Sequence, residues 1–134
     1  MIYFDTDVLI HMLVIQDLGK HQVARSYYEQ AIETQDFFIS LLCIQETAYV
    51  LQRLGQKAND IEDAVKGFLQ FEPVPYMSRD MQRGVVLARS MGFKNINDCI
   101  HLAVAETHCS QICTFNKADF GKMSKYTTLE ITIL

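Results

Sequence analysis

The chain has 134 residues, 49% of them apolar and 21% charged. That is enough to build one hydrophobic core, and it excludes a disordered or low-complexity protein. Its net charge of −4 argues against a protein that coats nucleic acid electrostatically, but not against an enzyme acting on it, since acids gathered at a metal site would dominate the sum.

Residues 2–5 read as a short buried strand, and residues 8–17 as a helix that is apolar nearly all round. Such a helix must be buried on several sides or meet a partner. The apolar run Val8 to Ile15 contains His11 and is far too short to span a bilayer. Asp5 and Asp7 stand where a signal peptide would carry basic residues, so a cytoplasmic protein without membrane contact is expected. Residues 21–34 read as a helix and Phe37 to Ser40 as a second strand. The next helix, 42–54, ends at Gly55, a natural C-terminal cap. Another covers about 59–70, with Ile61, Ala64, Val65, Phe68 and Leu69 forming its apolar stripe.

Pro73 and Pro75 flank Val74 and allow only an edge strand or a connector. Ser78 is the expected N-cap of a helix ending near Gly92. Residues 97–109 are helical, Gln111 to Phe115 a strand, and Leu129 to Leu134 a last strand. The alternation of strands and helices, without repeats or linkers, predicts a single α/β domain over 1–134 with a mainly parallel sheet.

Four acids stand out in that order: Asp5, Glu46, Asp98 and Asp119. Each lies just beyond a strand-like run or near the start of a helical pattern. In a parallel α/β sheet, ligands bind outside the carboxyl ends of the strands, and carboxylates delivered there converge. Converging carboxylates repel one another and lose hydration, so some must take up protons unless a cation is present. A hard divalent metal is the simplest resolution.

Two families place an aspartate where the segment "FDTDVLI", Phe4 to Ile10, has Asp5. The segment resembles the start of haloacid-dehalogenase-like phosphatases, which would make Asp5 a nucleophile and Asp7 a general acid. That reading needs a later paired acidic motif, and no Gly-Asp or Asp-Asp pair occurs. It is similar as well to the D-T-x-x-L-I start of PIN-domain nucleases. "ISLLCIQE", Ile39 to Glu46, resembles that family's glutamate segment. "INDCIHLAVA", Ile96 to Ala105, resembles its D-x-x-x-x-A-x-A helix, and "TFNKADF", Thr114 to Phe120, its T-x-[DN]-x-x-D-F segment. The four landmarks keep the family's order across residues 2–120, and the chain most resembles the small VapC-type toxins of toxin–antitoxin pairs.

The resemblance implies a three-layer α/β/α fold and a metal site formed by Asp5, Glu46, Asp98 and Asp119. It implies an endoribonuclease leaving 5′-phosphate and 3′-hydroxyl ends, a cognate antitoxin and a homodimer. Oxygen ligands select Mg²⁺ or Mn²⁺. Thr6 and Thr114 are candidates to bind a ligand carboxylate or a substrate phosphate, with Asn116 and Lys117 as further RNA contacts. Lys117, Lys122 and Lys125 would meet phosphates from a basic loop. The apolar residues Met12, Leu13 and Ile15, together with Tyr49, are candidate partner surfaces.

Two departures bear on this reading. Many relatives carry an aspartate where this chain has Asn116, which makes the role of Asp119 conditional and keeps open a catalytically weakened binding module. A housekeeping RNA-processing nuclease is a third alternative. Cys43 stands where a Ser or Thr would form a capping box with Glu46; Ser40 offers an earlier helix start instead.

Several neighbouring residues have plainer readings. Asp7 suits either the metal's vicinity or the N-cap of the first helix. Cys99, His101, His108, Cys109 and Cys113 lie close in sequence, but helix geometry turns Cys99 and His101 about 160° apart, against a zinc site. The four cysteines are taken as free thiols; His101, one turn from Asp98, could orient a carboxylate but is read first as an interior or surface histidine.

Overall fold

The computed structural model describes residues 1–134. Four strands form one sheet: β1 (Ile2–Phe4), β2 (Phe37–Phe38), β3 (Gln111–Thr114) and β4 (Glu130–Ile133). All pairings are parallel and the order is β2-β1-β3-β4. Ile2 lies opposite both Phe37 and Gln111, and Thr114 opposite Ile133. β1 and β3 are the inner strands, which is why Tyr3, Phe4, Ile112 and Cys113 form unbroken apolar runs with no exposure. Seven helices flank the sheet, in the α/β architecture expected from the sequence. None is long and apolar enough to cross a membrane.

The first helices differ from expectation at their ends. α1 spans Thr6–Leu13, not 8–17, because the Asp5 side chain caps it by accepting from the Thr6 N–H. It stops at Leu13 because Val14 is extended, and Asp17 then caps α2 (Leu18–Glu33) by accepting from the Lys20 N–H. Two capping aspartates outrank an uninterrupted apolar pattern. The residues expected to bury or meet a partner are divided accordingly: Val8, Leu9 and Ile10 are buried, whereas Leu13, Ile15 and Tyr49 are exposed.

α3 (Leu41–Arg53) starts at Ser40, whose hydroxyl accepts from the Cys43 N–H at 3.1 Å, so Ser40 supplies the cap that Cys43 cannot. Gly55, at φ 79°, closes the helix: its N–H bonds Gln52 O and the Gln56 N–H bonds Leu51 O. α4 is Ala58–Leu69. Val74 makes a single parallel bridge to Ser40, as a residue between two prolines can.

α5 (Ser78–Met91) corrects another expectation. Ser78 is its first helical residue, not its cap; the Met77 N–H ahead of it donates to Asp80 Oδ2 at 2.7 Å. Asp80 also accepts from Thr107 in α6 (Ile96–His108), so one buried carboxylate serves both helices. α6 is buried from Cys99 to Ala105. The lysine-rich segment beyond β3, expected as a loop, is instead α7 (Lys117–Met123), anchored by fully buried Phe120 and Met123.

The connection from β1 leads outward to β2, while the next returns across β1 to β3. The reversal creates a crevice outside the carboxyl ends of β1 and β3. Asp5 follows one of these strands and Asn116 the other.

Candidate functional site

Asp5 is 5% exposed and tied on both oxygens. Oδ1 accepts from the Thr6 N–H at 2.8 Å, and Oδ2 from the hydroxyl of buried Thr114 at 2.8 Å. A strand-end aspartate thus becomes at once a helix cap and a clasp between β1 and β3. Asp7, in the first turn of α1, accepts from the Phe115 N–H at 3.1 Å. Asp5, not Asp7, is therefore the cap of α1.

Glu46 reaches the same place from α3. Its Oε2 accepts from Thr6 Oγ1 at 2.8 Å and lies 2.6 Å from Nε2 of fully buried His101. Behind the ring, Nδ1 lies 2.6 Å from Tyr3 Oη, which is 2.8 Å from Ser40 Oγ. His101 is thus an interior residue that also orients a carboxylate. A histidine one turn from Asp98, inside the apolar run Cys99 to Ala105, was the signal for it.

Asp98 sits in the first turn of α6, half-buried, with Asn116 Nδ2 3.4 Å from its Oδ2. Asn116 caps α7: its Oδ1 accepts from the Asp119 N–H at 3.2 Å, and its Nδ2 donates to Asp119 Oδ2 at 3.0 Å. Asp5, Thr6, Asp7, Glu46, Asp98 and Asn116 line one cavity of about 330 Å³, with His11 and Gln16 at its side. Asp119 does not line it and is joined to it only through Asn116. Thr114 is buried beneath Asp5, and Lys117 is exposed at the start of α7.

The rim also departs from expectation. Lys125 lies with Arg83 and Glu106 along a different cavity, next to Ser110 and Leu129 at the opposite ends of β3 and β4. Lys20, which the sequence did not single out, stands 5.4 Å over the ring of Phe115 beside the acidic cavity.

Burial and mutual repulsion shape the charges. Burial raises the pKa of Asp5, with Asp98 adding to the rise and His101 opposing it. Burial, reinforced by Asp5, pushes Asp7 up to about 7. Asp98 rises to about 6 through burial, against the pull of His101 and with help from Asp119, Glu46 and Asp7. Glu46 goes the other way: burial opposes its charge, but the hydrogen bonds from His101 and Thr6 outweigh burial and lower its pKa. Burial also disfavours an imidazolium at His101, yet Tyr3 and Cys43 on one side and Glu46 on the other hold its pKa well above the ordinary value. Proton uptake by crowded carboxylates is what the sequence led one to expect.

The donor set suits a hard cation, being carboxylate oxygen throughout. As the side chains lie, no three acids, histidines or cysteines stand close enough to hold one ion together. Asp98, whose one hydrogen bond is long, is the acid least restrained by protein donors. The cysteines are free thiols: Cys43, Cys99 and Cys113 are buried, and Cys109 is half-buried.

No curated protein matches the chain. The PIN domain profile matches residues 2–126, from β1 to the turn before β4. PIN domains are nuclease-type folds that generally use divalent metal ions. With that profile covering nearly its whole length and its acids at the reversal point of a parallel sheet, the chain belongs to the PIN-domain family.

Proposed function

We propose that this protein is a Mg²⁺- or Mn²⁺-dependent endoribonuclease, and the toxin of a toxin–antitoxin pair acting in the cytoplasm. The observation that carries the reading is the meeting of Asp5, Glu46 and Asp98 in one cavity at the switch point of the sheet. When bound, the cation supplies positive charge against a phosphodiester and an acidified water. The chain's own residues do the rest. Thr6 and Thr114 fix Asp5, and His101 and Thr6 fix Glu46, so two of the carboxylates are positioned before substrate arrives. Lys117 and Lys20 flank the acidic cavity and offer contacts for the RNA backbone. Exposed Leu13, Ile15 and Tyr49 favour contact with an antitoxin or a second copy of the chain.

Asn116 supports a second reading, a weakened PIN domain that binds RNA or protein without cutting, because an amide stands where many relatives carry a charged ligand. One comparison separates the two. Wild type and Asp98→Asn are expressed in cells and then assayed on RNA with Mn²⁺. The nuclease reading expects growth arrest and cleavage by wild type alone. Cleavage without growth arrest would indicate a housekeeping RNA-processing nuclease. If wild type does neither, the binding module is favoured; if Asp98→Asn cuts equally well, the site assignment is wrong.

A further inference from the structure

Resting on the cation-dependent reading of the site, we propose that it is built for a single divalent cation, with the amide of Asn116 standing in for a second. The orientation of that amide is determined by its backbone role. Oδ1 caps α7 by accepting from the Asp119 N–H, which leaves Nδ2 to face the carboxylates. Nδ2 lies 3.0 Å from Asp119 Oδ2 and 3.4 Å from Asp98 Oδ2. An amide nitrogen carries two hydrogens, one for each oxygen. It bridges the two acids by hydrogen bonds, as an ion between them would by charge.

The opposite side of the cavity is closed in a similar way. Glu46 Oε2 meets two protein partners, Thr6 Oγ1 and His101 Nε2, which fill its two lone-pair positions and leave only Oε1 with lone pairs to offer. His101 cannot swing away, because it is fully buried and its other nitrogen abuts Tyr3 Oη. Asp7 accepts from the Phe115 N–H and the Thr114 hydroxyl, both through Oδ2. Glu46 is thus matched by His101 and Asp119 by Asn116, which leaves Asp5, Asp7 and Asp98 as the carboxylates that line the cavity with no cationic partner. Asp119 is then a positioning residue, holding Asn116, rather than a ligand.

The test counts Mn²⁺ on the full metal-free chain, by the electron paramagnetic resonance of free Mn²⁺ during titration. Wild type is expected to bind one ion. Asn116→Asp preserves the cap of α7, since aspartate caps as well as asparagine, and is expected to bind two, with a spin-coupled Mn²⁺ pair in the spectrum. Asp119→Asn should weaken binding roughly tenfold, as loss of an outer-shell partner does, and Asp98→Asn by more than about 100-fold. Two ions on wild type, or a single ion on Asn116→Asp, would overturn the inference while leaving a nuclease that cuts RNA intact. No Mn²⁺ on wild type would overturn both this inference and the proposed function.

Discussion

His101 shows how much one buried side chain decides. The Glu46–His101 contact at 2.6 Å joins α3 to α6 across the mouth of the sheet. Replacing His101 by Phe leaves Glu46 without its partner, and should cost about 3 kcal/mol, the low end for a broken buried pair because Glu46 keeps some contact with water. Removing both, with His101→Phe and Glu46→Gln together, should cost less than the sum. The pair has a definite pH signature. The folded pKa of His101 lies above its ordinary 6.5, so its contribution is complete below that value and is lost as pH rises through the folded pKa. The folded pKa of Glu46 lies below its ordinary 4.5, so its contribution is present above that value and is lost as pH falls through the folded pKa. Urea unfolding across this range should find the variant's deficit largest between the two limits and shrinking on both sides. A deficit independent of pH would rule out the ion pair.

At the scale of elements, the caps set the boundaries and one glycine sets a packing distance. Gly84 of α5 faces α6 so closely that a Cβ placed there would stand 3.0 Å from Ile100 Cγ1. Gly84→Val should cost about 1–3 kcal/mol by overpacking, and it should move Asp98, which lies on the same helix two residues before Ile100. Denaturant unfolding checks the first effect, and weaker Mn²⁺ binding the second; wild-type stability in the variant would mean that α5 and α6 can separate at no cost. The strands and most helices were legible because their apolar runs have the right period. The ends of α1 and α2 were not, because periodicity cannot tell that Asp5 and Asp17 turn inward to cap. α7 was missed because seven residues complete too few turns for a period to register, and its lysines resembled a solvated loop.

For the whole molecule, the acidic cavity is a place where stability yields to binding. The folded pKa of Asp98 is raised from 3.8 to about 6, so the charge disfavours the folded state increasingly as pH rises through that interval. At neutral pH without metal, Asp98→Asn should therefore raise the melting temperature, by the equivalent of about 1–3 kcal/mol. Saturating Mn²⁺ removes most or all of that advantage: at about 100 times its Kd it stabilises wild type by about 2.7 kcal/mol and the variant hardly at all. Thermal melts with and without Mn²⁺ measure both effects. A metal-free variant no more stable than wild type would mean that Asp98 bears no electrostatic cost in the fold.

The residues by themselves determined the class of the fold and three of the acids that share the cavity. Local periodicity follows from chain geometry, and Asp5, Glu46 and Asp98 sit in short motifs beside their own strands and helices. Other features depended on tertiary contacts between distant parts of the chain. Asp7 meets Phe115 across more than a hundred residues, and His101 meets Glu46 from another helix. Asp119 is separated from the cavity by its near neighbour Asn116, a consequence of how α7 begins. Lys125 is carried to the far end of the sheet, while Lys20 comes in beside the acids. Spacing along a sequence says which elements form; which side chains face one another, and which carry charge there, depends on packing that brings remote residues together and removes water from between them.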